Sequence, residues 1–253
     1  MFRDRTLVRV ADASDALGVS RSTAHRLLAT LQEHRFVEQD PRTRAYRLGE
    51  ALAQILNRDN ALREYMRPYM QRLRDELNET VQLVVLDGDQ ARFIESVESH
   101  QAVKTGSRVG VTVPAHCLSA GKAILASLPS AELDERYPTA DLATETKDSI
   151  ATRAELYERL KTIRADGYAT NENESVEGLA SVGVALLDAR GRPRAGIAVS
   201  APLSRLLPDS TSDGDPNKLD PVKVEAIARA ARNMADAAGG ARLPGEQPGA
   251  SAS

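Results

Sequence analysis

Ala24, Leu27, Leu28 and Leu31 recur at the i, i+3, i+4, i+7 spacing of a helix with one buried face, while Arg21, Ser22, His25 and Arg26 fall on the opposite side. Val10, Ala13, Ala16 and Leu17 set out a shorter helix ahead of it, and Gly18 is suited to stop that helix because glycine readily takes the left-handed conformation just past a helix end. Ser20 is placed to cap the next helix, its hydroxyl satisfying a free N–H of the first turn. Downstream, Phe36-Val37-Glu38-Gln39 and Ala45-Tyr46-Arg47-Leu48 read as short strands around the turn-forming Asp40-Pro41-Arg42-Thr43-Arg44. Helix, turn, helix and strand pair, in that order, predict a winged helix-turn-helix over residues 1–48.

The pattern changes after Leu48. Gly49 to about Asn57 reads as a helix within a linker spanning 49–60. From Leu62 to Leu77 a longer helix carries Tyr65, Met66, Tyr69, Met70, Leu73 and Leu77 on one side, with Pro68 suited to open its regular part. Val81 to Leu86 and Ala91 to Val97 are strand-like and joined by Asp87-Gly88-Asp89, a hairpin signal. Val182 to Leu187 and Ala195 to Ser200 form a second pair around Asp188-Ala189-Arg190-Gly191-Arg192-Pro193, and helices near Ala120 to Ser127 and Thr152 to Ala165 fall between the pairs. Hairpins interleaved with helices predict an α+β domain over 61–238, an antiparallel sheet with flanking helices rather than a doubly wound parallel one. Pro208 to Asn217 reads as a polar loop, Val222 to Met234 as an amphipathic helix, and 239–253 as a tail disordered by composition.

Length agrees with two domains: 253 residues, 42% of them hydrophobic, at roughly 150 residues per domain. No apolar run approaches the ~18 residues of a membrane span and the start lacks a basic-then-apolar signal segment, so a soluble cytoplasmic protein is expected. The net charge of −3 opposes a uniformly basic nucleic-acid binder, but residues 1–48 hold nine Arg, no Lys and six acids, which leaves −6 for the remainder. An arginine-rich head on an acidic body suits a chain that grips phosphates locally.

Enzymatic chemistry finds little support. The single cysteine, Cys117, excludes an intrachain disulfide and a cysteine-based metal cluster, and reads as a small buried hydrophobe. His116 is its neighbour, yet no acid is clearly placed to orient the imidazole. His25, His34, His100 and His116 lack metal-ligand spacing, and there is no phosphate-binding P-loop. No catalytic residue, metal ligand or cofactor is expected.

Four segments together resemble one family. They are Ala16-Leu17-Gly18-Val19-Ser20-Arg21-Ser22-Thr23-Ala24-His25-Arg26-Leu27-Leu28, the wing Asp40 to Leu48, Pro114-Ala115-His116-Cys117-Leu118-Ser119-Ala120-Gly121-Lys122-Ala123, and Gly167-Tyr168 through Gly178-Leu179. In this order they resemble the IclR-type transcriptional regulators over roughly residues 2–235. The resemblance implies a winged helix-turn-helix, a linker helix and a C-terminal effector-binding domain related to the GAF sensor fold. It also implies homodimers or homotetramers on double-stranded operator DNA of approximate two-fold symmetry, with small organic or aromatic acids altering DNA binding. Repressors and activators both occur in the family.

The chain departs from that pattern in three places. The family has a full helix before residue 10, whereas Met1-Phe2-Arg3-Asp4 looks like only the last turn of one. Either the start codon is assigned too far downstream or the head is truncated; the second case leaves a small-molecule sensor with a non-functional DNA-binding head. Arg35 and Arg44 stand where relatives commonly carry Gly, at a cost of roughly 1 kcal/mol each if the backbone is left-handed there.

On the DNA side, Arg21 and Arg26 are the candidates for guanine or phosphate contacts, because a guanidinium fork matches guanine O6 and N7. Ser20, Ser22, Thr23 and His25 are shorter and suit phosphates or a thymine methyl. Arg42 and Arg44 at the wing tip suit the backbone or the minor groove. On the effector side, Ser119-Ala120-Gly121 opens a helix whose free N–H groups favour an anion. The resemblance carries effector contacts onto Ser119, Ala120, Asn171, Ser181, Ala198 and Ser200. Relatives often have Asp at the position of Asn171; neutral Asn both donates and accepts, and so tolerates an anionic oxygen. A small carboxylate or aromatic acid is the expected effector.

Overall fold

The computed structural model describes residues 7–209, 215 and 218–239, with the backbone alone over 50–58. Met1-Phe2-Arg3-Asp4, residues 210–214 and 216–217 of the polar loop, and the tail from 240 onward lie outside the described residues. The chain divides into two compact units, Met1–Leu62 and Arg63–Ser253.

In the first unit, α1 (Val10–Leu17) ends at Gly18, whose φ of 63° is left-handed. The Ser14 hydroxyl donates to the Val19 carbonyl at 2.6 Å and tightens the turn. Ser20 then caps α2 (Arg21–Glu33), its Oγ accepting from the Thr23 N–H at 3.2 Å. The wing is the antiparallel pair β1 (Val37–Gln39) and β2 (Tyr46–Leu48), in which Val37 faces Leu48 and Gln39 faces Tyr46. At its tip Asp40 Oδ1 accepts from the N–H groups of Thr43 and Arg42, each at 2.8 Å, and these bonds hold the carboxyl below its ordinary pKa. Val8 bridges Tyr46 through two 2.8 Å backbone bonds, a contact that no pattern in the sequence announces.

These elements close on a core of Val8, Ala13, Ala24, Leu28, Val37 and Tyr46. Here one expectation fails. Of the four residues that the spacing puts on the buried face of α2, Ala24 and Leu28 are buried, but Leu27 and Leu31 remain 46% and 40% exposed. The buried stripe is narrower than the periodicity implies, because the core closes on the edge of α2 that holds Ala24 and Leu28. Arg35 and Arg44 do adopt the left-handed conformation, at φ 59° and 57°.

α3 (Glu50–Leu77) is a single helix with Pro68 in its interior. The sequence instead suggested a linker helix from Gly49 to about Asn57 and a second helix from Leu62 to Leu77 whose regular part opens at Pro68. Asn57-Arg58-Asp59-Asn60 does not break it, because polar residues are tolerated on a helix, and the helix continues through Pro68 although proline lacks the N–H of the regular ladder and crowds the preceding turn.

The second unit is built on one sheet. β3 (Thr80–Asp87) and β4 (Gln90–Val97) form the first hairpin, turning at Gly88 with φ 63°. β5 (Thr112–Pro114) follows, then a 3-10 turn over Ala115–Cys117 and the helices α4 (Ser119–Ala126), α5 (Ser130–Arg136) and α6 (Arg153–Asp166). β6 (Ala169–Glu172), β7 (Leu179–Leu187), β8 (Pro193–Pro202), α7 (Leu203–Leu206) and α8 (Pro221–Gly239) complete it. The six strands run β5-β4-β3-β8-β7-β6, with every neighbouring pair antiparallel. The two expected hairpins therefore meet along β3 and β8, where Thr80 faces Ser200 and Val84 faces Gly196.

α4 lies against this sheet with all eight of its residues buried. A Cβ on Gly183 would overlap the Ala120 amide, and one on Gly196 would lie 2.6 Å from the Ala120 carbonyl oxygen. Glycine is present at both positions so that helix and strand backbones can touch. Lys122 of α4, fully buried, is held by both carboxylate oxygens of Glu174, with Nζ 2.5 Å from Oε1. Burial pushes the lysine pKa down and the glutamate pKa up, and each opposes the shift of the other.

Two stability measurements follow. Gly183→Ala forces α4 off the sheet and lowers the stability of the second unit by about 1–3 kcal/mol; an unaltered denaturant midpoint contradicts the close approach. Arg35→Gly relieves the left-handed backbone and raises the stability of the first unit by about 0.5–1 kcal/mol, read as a higher midpoint for that transition.

Candidate functional sites: a DNA-facing surface and a polar cleft

The first unit exposes one face of α2 because its core uses the other. Ser20, Arg21, Ser22, Thr23, His25 and Arg26 are all exposed, as are Arg42 and Arg44 at the wing tip. The Ser20 hydroxyl lies 2.9 Å from those of Ser22 and Thr23, so the short polar side chains at the helix start bond to one another. Among the described residues the guanidinium groups of Arg21, Arg26, Arg42 and Arg44 have no ion pair or hydrogen bond. Arg47 differs: it pairs with Glu38 across the wing at 2.9 Å. Four free forks on α2 and the wing are donors of the kind that pair with phosphate oxygens or guanine edges.

In the second unit, strand register brings distant residues together. Ser181 faces Ser200 across β7 and β8, and Gln82 faces Ala198 across β3 and β8. Those four share the sheet face on which α4 begins, and with Ser119 and Ala120 they line a narrow cleft. Ser119 and Ser181 hydroxyls are 2.7 Å apart, and Ser200 Oγ donates to Gln82 Oε1 at 3.1 Å. Of the six residues expected at an effector site, Ser119, Ala120, Ser181, Ala198 and Ser200 line this cleft, and Asn171 does not. Asn171 is fully buried: its amide donates to the Cys117 carbonyl at 2.6 Å and to Ser175 Oγ at 3.1 Å, while Oδ1 accepts from the Glu174 N–H at 3.1 Å. Its hydrogen bonds are spent on holding the loop that places Ser175 at the cleft wall.

Gln82, Phe93, Arg108 and Ser175 also line the cleft and were not expected there. Gln82 carries a legible signal, as the one amide in the apolar strand Val81-Gln82-Leu83-Val84-Val85. Arg108 carries none, because its placement depends on the path of the loop between β4 and β5.

His116 and Cys117 sit behind α4, both buried. His116 Nε2 donates to the Ala143 carbonyl at 2.8 Å. Burial pushes the imidazole pKa down and the thiol pKa up. Both shifts favour the neutral forms and disfavour a thiolate–imidazolium pair. No group of three or more metal-binding side chains occurs among the described residues, and no described helix is long and apolar enough to cross a membrane.

Comparison with known proteins agrees with this layout. Residues 3–41 match the IclR helix-turn-helix domain, and residues 54–215 match the C-terminal domain of the bacterial transcriptional regulator IclR. Over 195 residues, 76% of this chain and 73% of the relative, it is 36% identical to the HTH-type transcriptional regulator Rv1719 of Mycobacterium tuberculosis. It superimposes on the IclR of Thermotoga maritima with a TM-score of 0.63 and 26% identity, covering 94% of this chain and 92% of that one. An IclR homolog from Microbacterium hydrocarbonoxydans, solved in complex with 4-hydroxybenzoate, shares the fold with a TM-score of 0.63 and 22% identity over 94% and 92% of the two chains. The matched families and relatives are transcriptional regulators, not enzymes. With both of its domains matched in order, the chain belongs to the IclR family of DNA-binding transcriptional regulators.

Proposed function

We propose that a small carboxylate or aromatic acid, seated in the cleft beside α4, alters the affinity of this regulator for its operator. One observation carries this reading: Ser119, Ala120, Ser181, Ala198 and Ser200, far apart in the chain, converge on a single polar cleft. The 4-hydroxybenzoate bound to the Microbacterium hydrocarbonoxydans homolog supports the class of ligand. Small residues leave the room, hydroxyls supply the hydrogen bonds, and the amides opening α4 favour negative charge. Asn171 acts as a positioning residue, holding Ser175 and the start of α4 without touching the ligand. The effector shifts DNA affinity only as far as it binds one conformation better than another.

At the DNA end, α2 enters the major groove, where Arg21 and Arg26 pair with guanine or phosphate, and Ser20, Ser22, Thr23 and His25 approach phosphates or a thymine methyl. Arg42 and Arg44 grip the backbone or minor groove from the wing. A homodimer, or a pair of dimers, matches an operator of approximate two-fold symmetry.

A gel-shift titration on the promoter adjoining the gene, with and without candidate acids, tests the coupling; DNA affinity that no acid alters counts against it. Arg44→Ala weakens binding to all sequences alike and lowers the salt dependence of log K by ~0.9 for each lost phosphate contact. An unaltered slope removes the wing from the interface.

A further inference from the structure

The outer edge of β7 is only partly paired. Ala169, the first residue of β6, faces Gly183, whereas β7 runs on to Leu187. Antiparallel strands bond a given neighbour through alternate residues. On the β6 side the Asn173 N–H donates to the Leu179 carbonyl at 2.9 Å, and on the β8 side the Leu203 N–H donates to the Gly178 carbonyl at 2.8 Å. Odd-numbered residues of β7 therefore point at β6 and even-numbered ones at β8, in agreement with the register on both sides. By this alternation the N–H and C=O of Ala185 and Leu187 project from the stretch of edge that β6 leaves bare. Among the described residues outside β7 and β8, none bonds the backbone of either.

That bare edge opens into a hollow of about 270 Å³ between α4, α6 and α8. Ala123, Ala126, Ile163 and Ala185 give it an apolar wall on the α4 side. Its two arginines are already used: Arg164 donates to the carbonyls of Ala126 and Leu128, and Arg232 donates to the Asp166 carbonyl and to Glu225. Asp236, on the rim, is exposed, and among the described residues its carboxylate has no hydrogen bond or ion pair. Gly239 ends α8 so close to this edge that a Cβ on it would lie 2.9 Å from the Leu187 carbonyl oxygen. The sequence continues from there as Gly240-Ala241-Arg242-Leu243-Pro244.

We propose that Ala241-Arg242-Leu243 of the same chain add to the free edge of β7 as a short antiparallel strand. Direction follows from the starting point: a chain leaving Gly239 beside Leu187, at the end of β7, meets Ala185 only by running back along the strand. At ~3.4 Å per residue, Leu187 and Ala185 are about 7 Å apart, a span that three extended residues cover. Gly240 reverses the chain without a Cβ in the way, and Pro244, which has no N–H, ends the pairing. In this register Ala241 faces Leu187 and Leu243 faces Ala185. Facing side chains share one side of a sheet, so Leu243 enters the apolar hollow beside Ala123 and Ala126, while Arg242 turns to the other side, toward α8 and Asp236. Main-chain bonds to Ala185 and Leu187 supply the attraction, and the leucine and the arginine fix the register.

Hydrogen–deuterium exchange on the full chain, compared with a chain that stops after Gly239, tests this, with thermal melting to verify that each variant folds. The Ala185 and Leu187 amides exchange roughly tenfold more slowly in the full chain. L243D removes that protection while the rest of the tail stays in place. D236R weakens it, and R242D in the same chain restores it. Equal exchange in the two chains overturns the proposal, whether fast, which leaves the edge open, or slow, which means that another segment covers it. Protection that grows with protein concentration assigns the strand to a second copy and overturns pairing within one chain. Protection that survives L243D overturns the proposed register.

Discussion

Contact between the backbone of α4 and that of the sheet, at Gly183 and Gly196, is the constraint on which the second unit depends. No side chain separates helix from strand there, so α4 sinks until all eight of its residues are buried. That depth forces the remaining chemistry. Lys122 cannot reach water and needs a carboxylate, which Glu174 supplies; Glu174 in turn is placed by a loop tied through Asn171, Ser149 and Thr146. The cleft is the space left where the first turn of α4 meets strands whose facing residues are Ser181, Ala198 and Ser200. Larger side chains at these positions would fill it.

The first unit solves a different problem with fewer means. Among the described residues its core cluster holds only six buried side chains, so local hydrogen bonds carry a large share of the structure. Ser20 caps α2, Asp40 closes the wing tip, and Val8 pairs with Tyr46. Against these, Arg35 and Arg44 hold left-handed backbone that glycine adopts without strain. At Arg44 the cost accompanies a positive charge at the wing tip, and among the described residues its guanidinium, unlike that of Arg47, is not tied up in an ion pair.

The two units use arginine in opposite settings. On α2 and the wing, the guanidinium groups of Arg21, Arg26, Arg42 and Arg44 are exposed to solvent, where charge interactions are screened by salt. In the cleft, Arg108 is partly desolvated and stacked on Phe93, where salt screens its charge less.

Periodicity and turn chemistry determined much from the sequence alone. Gly18, Ser20, Gly88 and Asp40 act through bonds to residues a few positions away, and local rules therefore place both helices of the DNA-binding motif, the wing and both hairpins. The exposure of Arg21, Arg26, Arg42 and Arg44 was legible for the same reason, since a short helix and a turn fix their side. What local rules cannot reach is which edges meet. The pairing of β3 with β8 joins residues more than a hundred positions apart, and it brings Gln82 beside Ser200. The same limit explains Leu27 and Leu31, whose spacing states an apolar side but not how much of it is covered. It also explains Asn171, whose amide is committed to Cys117 and Ser175, and Arg108, which only the loop path carries to the cleft. Sequence determined the elements because their energetics are local; tertiary structure decided which distant side chains line the cleft, because that depends on which strand edges pair.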